Sequence, residues 1–135
     1  MQPMTIQVDD KIYAQLVDPY SPDKNQTKWI ASPHESLQGS VMRYDVKEFR
    51  NHKHLLNPRI IKRTQEAFVV VQGSVKVTIF NDNKQRLGEL IASKGEAIFV
   101  WDGYHKVEFI EEDTIAYEIK AGSFTTVLED KEFFQ

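Results

Sequence analysis

Two of the four histidines, His52 and His54, are separated by a single residue. The segment 48–54 around them is predicted to be a strand, and alternate residues of a strand point to the same face. Both imidazoles would then project together, while Lys53 points away. Two adjacent imidazoles can form half of a site for zinc, iron, copper, nickel or manganese. The alternative is that both are ordinary solvated histidines.

A carboxylate and a further histidine stand at the starts of later predicted strands. Glu66 opens the apolar run 67–71, and a charge on the inward face of such a strand needs a cation, hydrogen bonds or a metal as its partner. His105 follows a short strand and a glycine-containing turn. By alternation, His105 and Val107 face one way and Glu108 the other.

Basic and polar residues surround these candidates in the sequence. Arg59, Lys62 and Arg63 lie in the segment between the histidine pair and Glu66. Guanidinium groups bind carboxylate or phosphate through two hydrogen bonds, so Arg59 and Arg63 are predicted to bind an anionic substrate group. The alternative is a solvated loop or a contact with a second subunit. Gln38 and Tyr104 are further candidates for substrate binding.

The composition is that of one soluble globular domain. The chain has 135 residues, of which 41% are hydrophobic and 27% charged, and its net charge of −3 argues against a nucleic-acid partner. The chain has no cysteine, which excludes disulfides, thiolate metal sites and cysteine nucleophiles. Its longest run of large apolar residues, 68–71, is far short of the roughly 20 residues of a membrane helix. We therefore expect a cytoplasmic protein without a membrane partner.

The elements that must position the candidate residues are strands. Apolar residues recur with a period of two, turn signals come every eight to twelve residues, and no 3.6-residue period extends over ten residues. This spacing favours an antiparallel sandwich or barrel. The candidate strands, some of which must merge, cover residues 4–8, 11–17, 28–31, 37–45, 48–54, 65–72, 74–80, 86–92, 96–101, 104–110 and 114–120.

The order of the motifs resembles that of the cupin superfamily. A His-x-His pair comes first, then a glutamate with six residues before a glycine, then two glycines and a histidine. The matching residues are His52, His54, Glu66, Gly73, Gly95, Gly103 and His105. The resemblance covers about residues 37–120 and implies an all-β double-stranded β-helix, or jelly-roll barrel. Residues 1–135 would form a single cupin domain, with the N-terminal strands and a C-terminal arm outside the barrel.

The resemblance also implies a ligand set. In metal-binding cupins, both histidines of the first motif, its glutamate and the later histidine ligate one divalent ion. Carried over, the ligands are His52, His54, Glu66 and His105, and the ion is zinc, iron, manganese or nickel. This sequence departs from the family pattern in three places. Eleven residues, 55–65, separate the pair from the glutamate, Val46 stands where a glycine usually precedes the pair, and Trp101 stands where proline is usual.

Three functions are compatible with this resemblance. The first is a metal-dependent isomerase, epimerase or dioxygenase acting on a small polar or carbohydrate-like substrate, with His52, His54 and His105 as catalytic residues. The second is a metal-free enzyme similar to sugar ketoisomerases, in which a histidine is the general base. The third is a non-catalytic module that binds a small ligand. The phrase 63–66, Arg-Thr-Gln-Glu, is similar to small bacterial cupins linked to sugar-nucleotide or polysaccharide metabolism.

A homodimer is the expected assembly. Small barrels expose sheet edges and apolar faces, and a second copy can cover them. The N-terminal segment 4–17 lies outside the recognised motifs, so it is predicted to form the contact.

Overall fold

The fold was obtained as a computed structural model, which describes residues 4–30, 35–58, 61, 63–122 and 131–134. Within these ranges the chain forms ten strands and no helix, and hence no helix that could cross a membrane. The strands are β1 (Thr5–Val8), β2 (Lys11–Val17), β3 (Gln26–Trp29), β4 (Ser40–Arg43), β5 (Glu66–Gln72), β6 (Ser74–Phe80), β7 (Arg86–Ser93), β8 (Ala97–Val100), β9 (Tyr104–Phe109) and β10 (Ile115–Lys120). All neighbouring strands pair antiparallel. The all-β prediction is confirmed.

The strands form two large sheets and one small sheet. The five-stranded sheet has the order β1-β2-β8-β5-β10, and the three-stranded sheet has the order β7-β6-β9. Strands β3 and β4 pair with each other in a separate two-stranded sheet. Strand β5 lies between β8 and β10, so residues far apart in the sequence become neighbours across the five-stranded sheet.

One apolar core lies between the five-stranded and three-stranded sheets. The predicted alternation of Val75, Val77 and Ile79 on one face of β6 is confirmed, since all three side chains are fully buried. Phe68 and Val70 of β5 contribute to the same core from the opposite sheet. Each fully buried aliphatic or aromatic side chain contributes about 1.5–3 kcal/mol to folding. This core holds β5 and β6 face to face.

A second apolar layer lies on the other face of the five-stranded sheet. Ala67, Phe99 and Trp101 are buried there, and residues 37–42 cover part of the layer. A cavity of about 390 Å³ remains between these residues and the sheet. Because strand residues alternate between faces, this cavity is separated from the main core by the thickness of the sheet.

The predicted strand 48–54 is absent from the structure. Residues 45–58 are exposed and belong to none of the sheets. Among residues 48–54 only Phe49 is strongly apolar, so neither face of the segment could be buried against a sheet. The prediction that the histidine pair projects from a strand was therefore wrong.

Candidate active site

The topology brings Glu66 and His105 into contact although 39 positions separate them. Glu66 begins β5 and shares its inward face with the buried Phe68. His105 lies in β9 opposite the buried Ile79 of β6 and also faces inward. Its Nε2 is hydrogen-bonded to Oε1 of Glu66. The Glu66 side chain is only 10% exposed and that of His105 is 29% exposed, so the pair lies at the border between the core and solvent.

A glycine turn sets the position of His105. Gly103 has a φ of 89°, in the left-handed region that glycine adopts without strain. A Cβ atom at this position would lie 2.5 Å from the Phe80 carbonyl oxygen and 3.0 Å from the Tyr13 ring. Only glycine lets the chain pass this closely. The Gly103 carbonyl oxygen also lies 3.2 Å from Nδ1 of His105, so the turn orients the imidazole directly.

The hydrogen-bond partners favour the charged form of His105. The Gly103 carbonyl can only accept a hydrogen bond, so Nδ1 carries a proton. An ionised Glu66 also accepts, which requires a second proton on Nε2. Burial lowers the pKa of His105, but the hydrogen bond and the negative charge of Glu66 outweigh burial and raise this pKa above its ordinary value of 6.5. The His105 imidazole therefore stays protonated to a higher pH than a free histidine does.

Lys120 lies next to this pair and was not among the predicted site residues. It is the direct partner of Glu66 across β10 and β5, and cross-strand partners have Cβ atoms about 5 Å apart on the same face. Its Nζ contacts Oε1 of Glu118 at 3.3 Å. Alternation along β10 could have placed Lys120 on the inward face. The pairing of β10 with β5 could not be read from the sequence, so the proximity to Glu66 was missed.

A buried glutamine fixes the chain just before Glu66. Gln65 is 1% exposed, and its Oε1 accepts a hydrogen bond of 2.9 Å from the backbone N–H of Leu37. Its Nε2 lies 3.3 Å from the Trp101 carbonyl oxygen. These bonds join the start of β5 to Leu37 and to Trp101, the residue that follows β8. Gln65 therefore positions Glu66 without facing the site, and it was not among the predicted site residues.

Arg63 is held by an acidic residue close to His105 in the chain. Nη1 of Arg63 donates a hydrogen bond of 2.7 Å to Oδ2 of Asp102, and Nζ of Lys11 contacts the same oxygen at 2.6 Å. Oδ1 of Asp102 accepts a hydrogen bond of 2.7 Å from the backbone N–H of Gly103. Two cations thus share one carboxylate at the turn that carries the imidazole. Neither Lys11 nor Asp102 was predicted as a site residue.

Replacing Asp102 by asparagine is expected to reduce stability in a pH-dependent way. Burial alone would raise the pKa of Asp102, but hydrogen bonds from Lys11 and Gly103 and the charge of Arg63 lower it below its ordinary value of 3.8. A lowered carboxyl pKa stabilises the fold above pH 3.8, and this stability is lost as the pH falls through the folded-state pKa. We expect a loss of about 1 kcal/mol at neutral pH and a smaller loss in strong acid. Urea unfolding at several pH values measures this.

The control for this prediction is Asp23→Asn, which removes an exposed carboxylate in a loop. That substitution should leave the free energy of unfolding nearly unchanged at each pH. An equal loss for both variants, or a loss for Asp102→Asn that is independent of pH, would contradict the proposed role of the cluster.

Tyr104 faces away from the paired residues. It precedes His105 in β9, so the two side chains point to opposite faces. Its hydroxyl is hydrogen-bonded to Oε2 of Glu132, and its ring contacts Phe134 with centroids 4.7 Å apart. The hydrogen bond and charge of Glu132 raise the pKa of Tyr104 above its ordinary value. Tyr104 therefore anchors residues 131–134 in this structure.

The other predicted residues that the structure describes take no part in the contact between Glu66 and His105. His52 and His54 have ring centroids 5.5 Å apart, and Nδ1 of His52 lies 2.8 Å from the Arg50 carbonyl oxygen. Across the described ranges, no group of three or more His, Asp or Glu side chains is placed to hold a metal ion. Gln38 lines the cavity on the outer face of the five-stranded sheet. Arg59 lies outside the described residues.

No family model, curated protein or solved structure matches this chain. Within the described ranges, the class that the fold defines is an all-β protein built from antiparallel sheets. The cupin assignment and the four-ligand metal site stay predictions. Any proposal about the function therefore rests on the geometry of the described residues.

Proposed function

We propose that this protein is an enzyme that transfers a proton on a small polar or carbohydrate-like substrate. The observation that supports the proposal is the hydrogen bond between His105 and Glu66 at the border of the core. A buried carboxylate with an imidazole partner is an arrangement used for general acid–base catalysis. Isomerisation and epimerisation next to a carbonyl both remove a proton from carbon and return it. They need a group that exchanges protons near neutral pH.

In the proposed mechanism Glu66 and His105 act as one proton-exchanging unit. The carboxylate stabilises the imidazolium, so the pair can release a proton to a substrate oxygen and take one back from carbon. Positioned acid–base groups accelerate such steps by about 10²–10⁴. The cationic groups of Arg63 and Lys11 lie beside the same turn and would bind an anionic substrate group.

We further propose that the chain folds as a single domain with the jelly-roll barrel of the cupins. Two antiparallel sheets that share one core support it, as does the inward position of the glutamate and histidine that match the cupin motifs. We also propose that the protein is located in the cytoplasm. The absence of cysteine is compatible with a reducing compartment.

The second candidate is the metal-dependent enzyme. Two observations favour it. The first is that Oε1 of Glu66 and Nε2 of His105, two atoms that can bind a metal ion, are in contact. The second is that His52 and His54 lie beside each other in an exposed segment that belongs to neither large sheet. Three imidazoles and one carboxylate suit zinc, iron, manganese or nickel. A bound divalent ion would polarise a substrate carbonyl or activate water. In this candidate the pair would hold the ion instead of a proton.

Solvent-exchange experiments distinguish these candidates. The protein is incubated in D₂O with a panel of sugar phosphates and nucleotide sugars, and deuterium incorporation into substrate C–H bonds is measured by NMR. We expect incorporation by the wild type and a loss of roughly hundredfold or more in His105→Gln, because the proton-exchanging group is removed. His54→Gln should retain the activity if no metal is used.

The controls decide between the remaining outcomes. Glu108 faces away from the pair on the same strand as His105, so Glu108→Gln should exchange deuterium like the wild type. Equal loss in His54→Gln and His105→Gln, together with about one divalent ion per chain by elemental analysis, would favour the metal-dependent enzyme. Substrate binding without exchange would favour the non-catalytic module. Undiminished exchange in His105→Gln would refute the proposed chemistry.

A further inference from the structure

The cavity of about 390 Å³ lies on the face of the five-stranded sheet that is turned away from Glu66. Ala67, the residue after Glu66, lines this cavity, and neighbouring residues of a strand point to opposite faces. Ala97 of β8 lines it as well, and residues 37–42 cover it. A ligand in the cavity would therefore not touch the pair formed by Glu66 and His105.

Small side chains on the sheet create this hollow. Ala67 and Ala97 lie on the paired strands β5 and β8, and Gly95 lies just before β8. An alanine or glycine leaves unfilled the volume that the larger residues typical of strands would occupy. At Phe99 the covering segment touches the sheet, since a Cβ atom on Gly39 would lie 2.7 Å from the Phe99 ring. The space is left over the smaller residues.

Hydrogen bonds hold the covering segment in place. The backbone N–H of Leu37 donates a hydrogen bond of 2.9 Å to Oε1 of the buried Gln65. The backbone N–H of Ile30 donates one of 3.0 Å to the Gly39 carbonyl oxygen, and β4 pairs with β3 along its whole length. Ligand sites are usually formed before the ligand binds and have volumes of about 300–1,000 Å³. This cavity meets both criteria.

The lining determines which chemistry a ligand must have. Among the described residues that line the cavity, only Gln38 and Ser40 are polar and none is charged. Nε2 of Gln38 donates a hydrogen bond of 2.8 Å to the Glu35 carbonyl oxygen. A charged ligand group would lose its hydration here without meeting an opposite charge, which is costly. An uncharged apolar ligand gains free energy by leaving water.

We propose that this cavity binds a small, uncharged, aromatic molecule of about two rings. An apolar cavity of about 150 Å³ is large enough to bind benzene, so this volume has room for a second ring. The aromatic preference follows from Phe99, which lines the cavity and is held by stacking on Trp101 with ring centroids 5.3 Å apart. Aromatic rings gain more from contact with such a ring than from apolar burial alone.

Titration of the full chain with 2-naphthol, an uncharged two-ring compound, tests the site. Binding is followed by NMR through the methyl signals of Val41, Val69 and Ile119, which all line the cavity. We expect saturable shifts with a Kd of about 100 µM or tighter. 2-Naphthoate carries a carboxylate on the same rings and should bind at least roughly tenfold more weakly. 1-Decanol has as many carbon atoms but no ring, and it should also bind more weakly.

Two variants locate the binding in the cavity. Ala97→Phe fills the space with an aromatic ring and should weaken the binding of 2-naphthol by roughly tenfold or more, since no room is left for the ligand. Ser40→Asp adds a charge to the lining with little bulk and should weaken it similarly. The matched control is Val71→Phe, because Val71 lies on the same face of β5 but is exposed and is not among the lining residues. It should bind like the wild type.

Thermal unfolding provides a second measurement. Saturating 2-naphthol should raise the unfolding midpoint of the wild type and of Val71→Phe, but not that of Ala97→Phe, because a ligand that binds only the folded state stabilises it. Circular dichroism establishes that the variants are folded. No saturable binding to the wild type at about 1 mM, unchanged binding to a folded Ala97→Phe or Ser40→Asp, or equal affinity for 2-naphthoate would overturn the proposal.

Discussion

Gly103→Ala is expected to destabilise the protein by about 3 kcal/mol. The added Cβ would lie 2.5 Å from the Phe80 carbonyl oxygen, and the φ of 89° is strained for any residue with a side chain. The Phe80 backbone cannot move away easily, because this residue pairs with β7 and β9 at the centre of the three-stranded sheet. Urea unfolding monitored by tryptophan fluorescence measures the loss.

Gly95→Ala separates the two causes of this loss. Gly95 has a similar φ of 84°, but the nearest atom to its added Cβ is Cγ of Pro19 at an ordinary distance of 3.5 Å. This control should lose only about 1 kcal/mol, from backbone strain alone. Equal stability of Gly103→Ala and Gly95→Ala would contradict this explanation. It would show that close packing at Gly103 does not fix the turn before His105.

Glu66→Gln is expected to lower the pKa of His105 and to weaken the fold at mildly acidic pH. The carboxylate that raises this pKa is removed, while the glutamine keeps nearly the same shape. A raised histidine pKa stabilises the fold fully below 6.5, and this stability is lost as the pH rises through the folded-state pKa. A hydrogen bond between charged groups contributes about 2 kcal/mol, so the variant should lose about that amount near pH 5.5 and less at pH 9.

Histidine proton NMR and urea unfolding at the two pH values measure these changes. The matched control is Glu108→Gln, because Glu108 lies on the opposite face of β9 and contacts Lys76 and Lys106 at 3.8 Å. This control should leave the titration of His105 unchanged. An unaltered His105 titration in Glu66→Gln would show that the two side chains do not share a proton in solution.

Most strands were predictable because their information is local. Alternation of apolar and polar residues predicted the buried face of β6 and the shared face of Glu66, Phe68 and Val70, and the structure confirms both. The predicted strand over 48–54 is wrong because its alternating histidines have no apolar face to bury: Phe49 is the only strongly apolar residue in the segment. Alternation without an apolar face provides no burial energy, so such a segment has no reason to join a sheet.

The sequence by itself determined the all-β class and the absence of cysteine chemistry, and it included Glu66 and His105 among the four residues predicted to converge. Only the tertiary structure decided which strands are neighbours. It placed Lys120 opposite Glu66, joined Lys11 and Arg63 through Asp102, and left Tyr117 and Ile119 of β10 exposed. The physical reason is that side-chain direction follows from the local period of a strand, whereas strand order depends on how the whole apolar surface is buried.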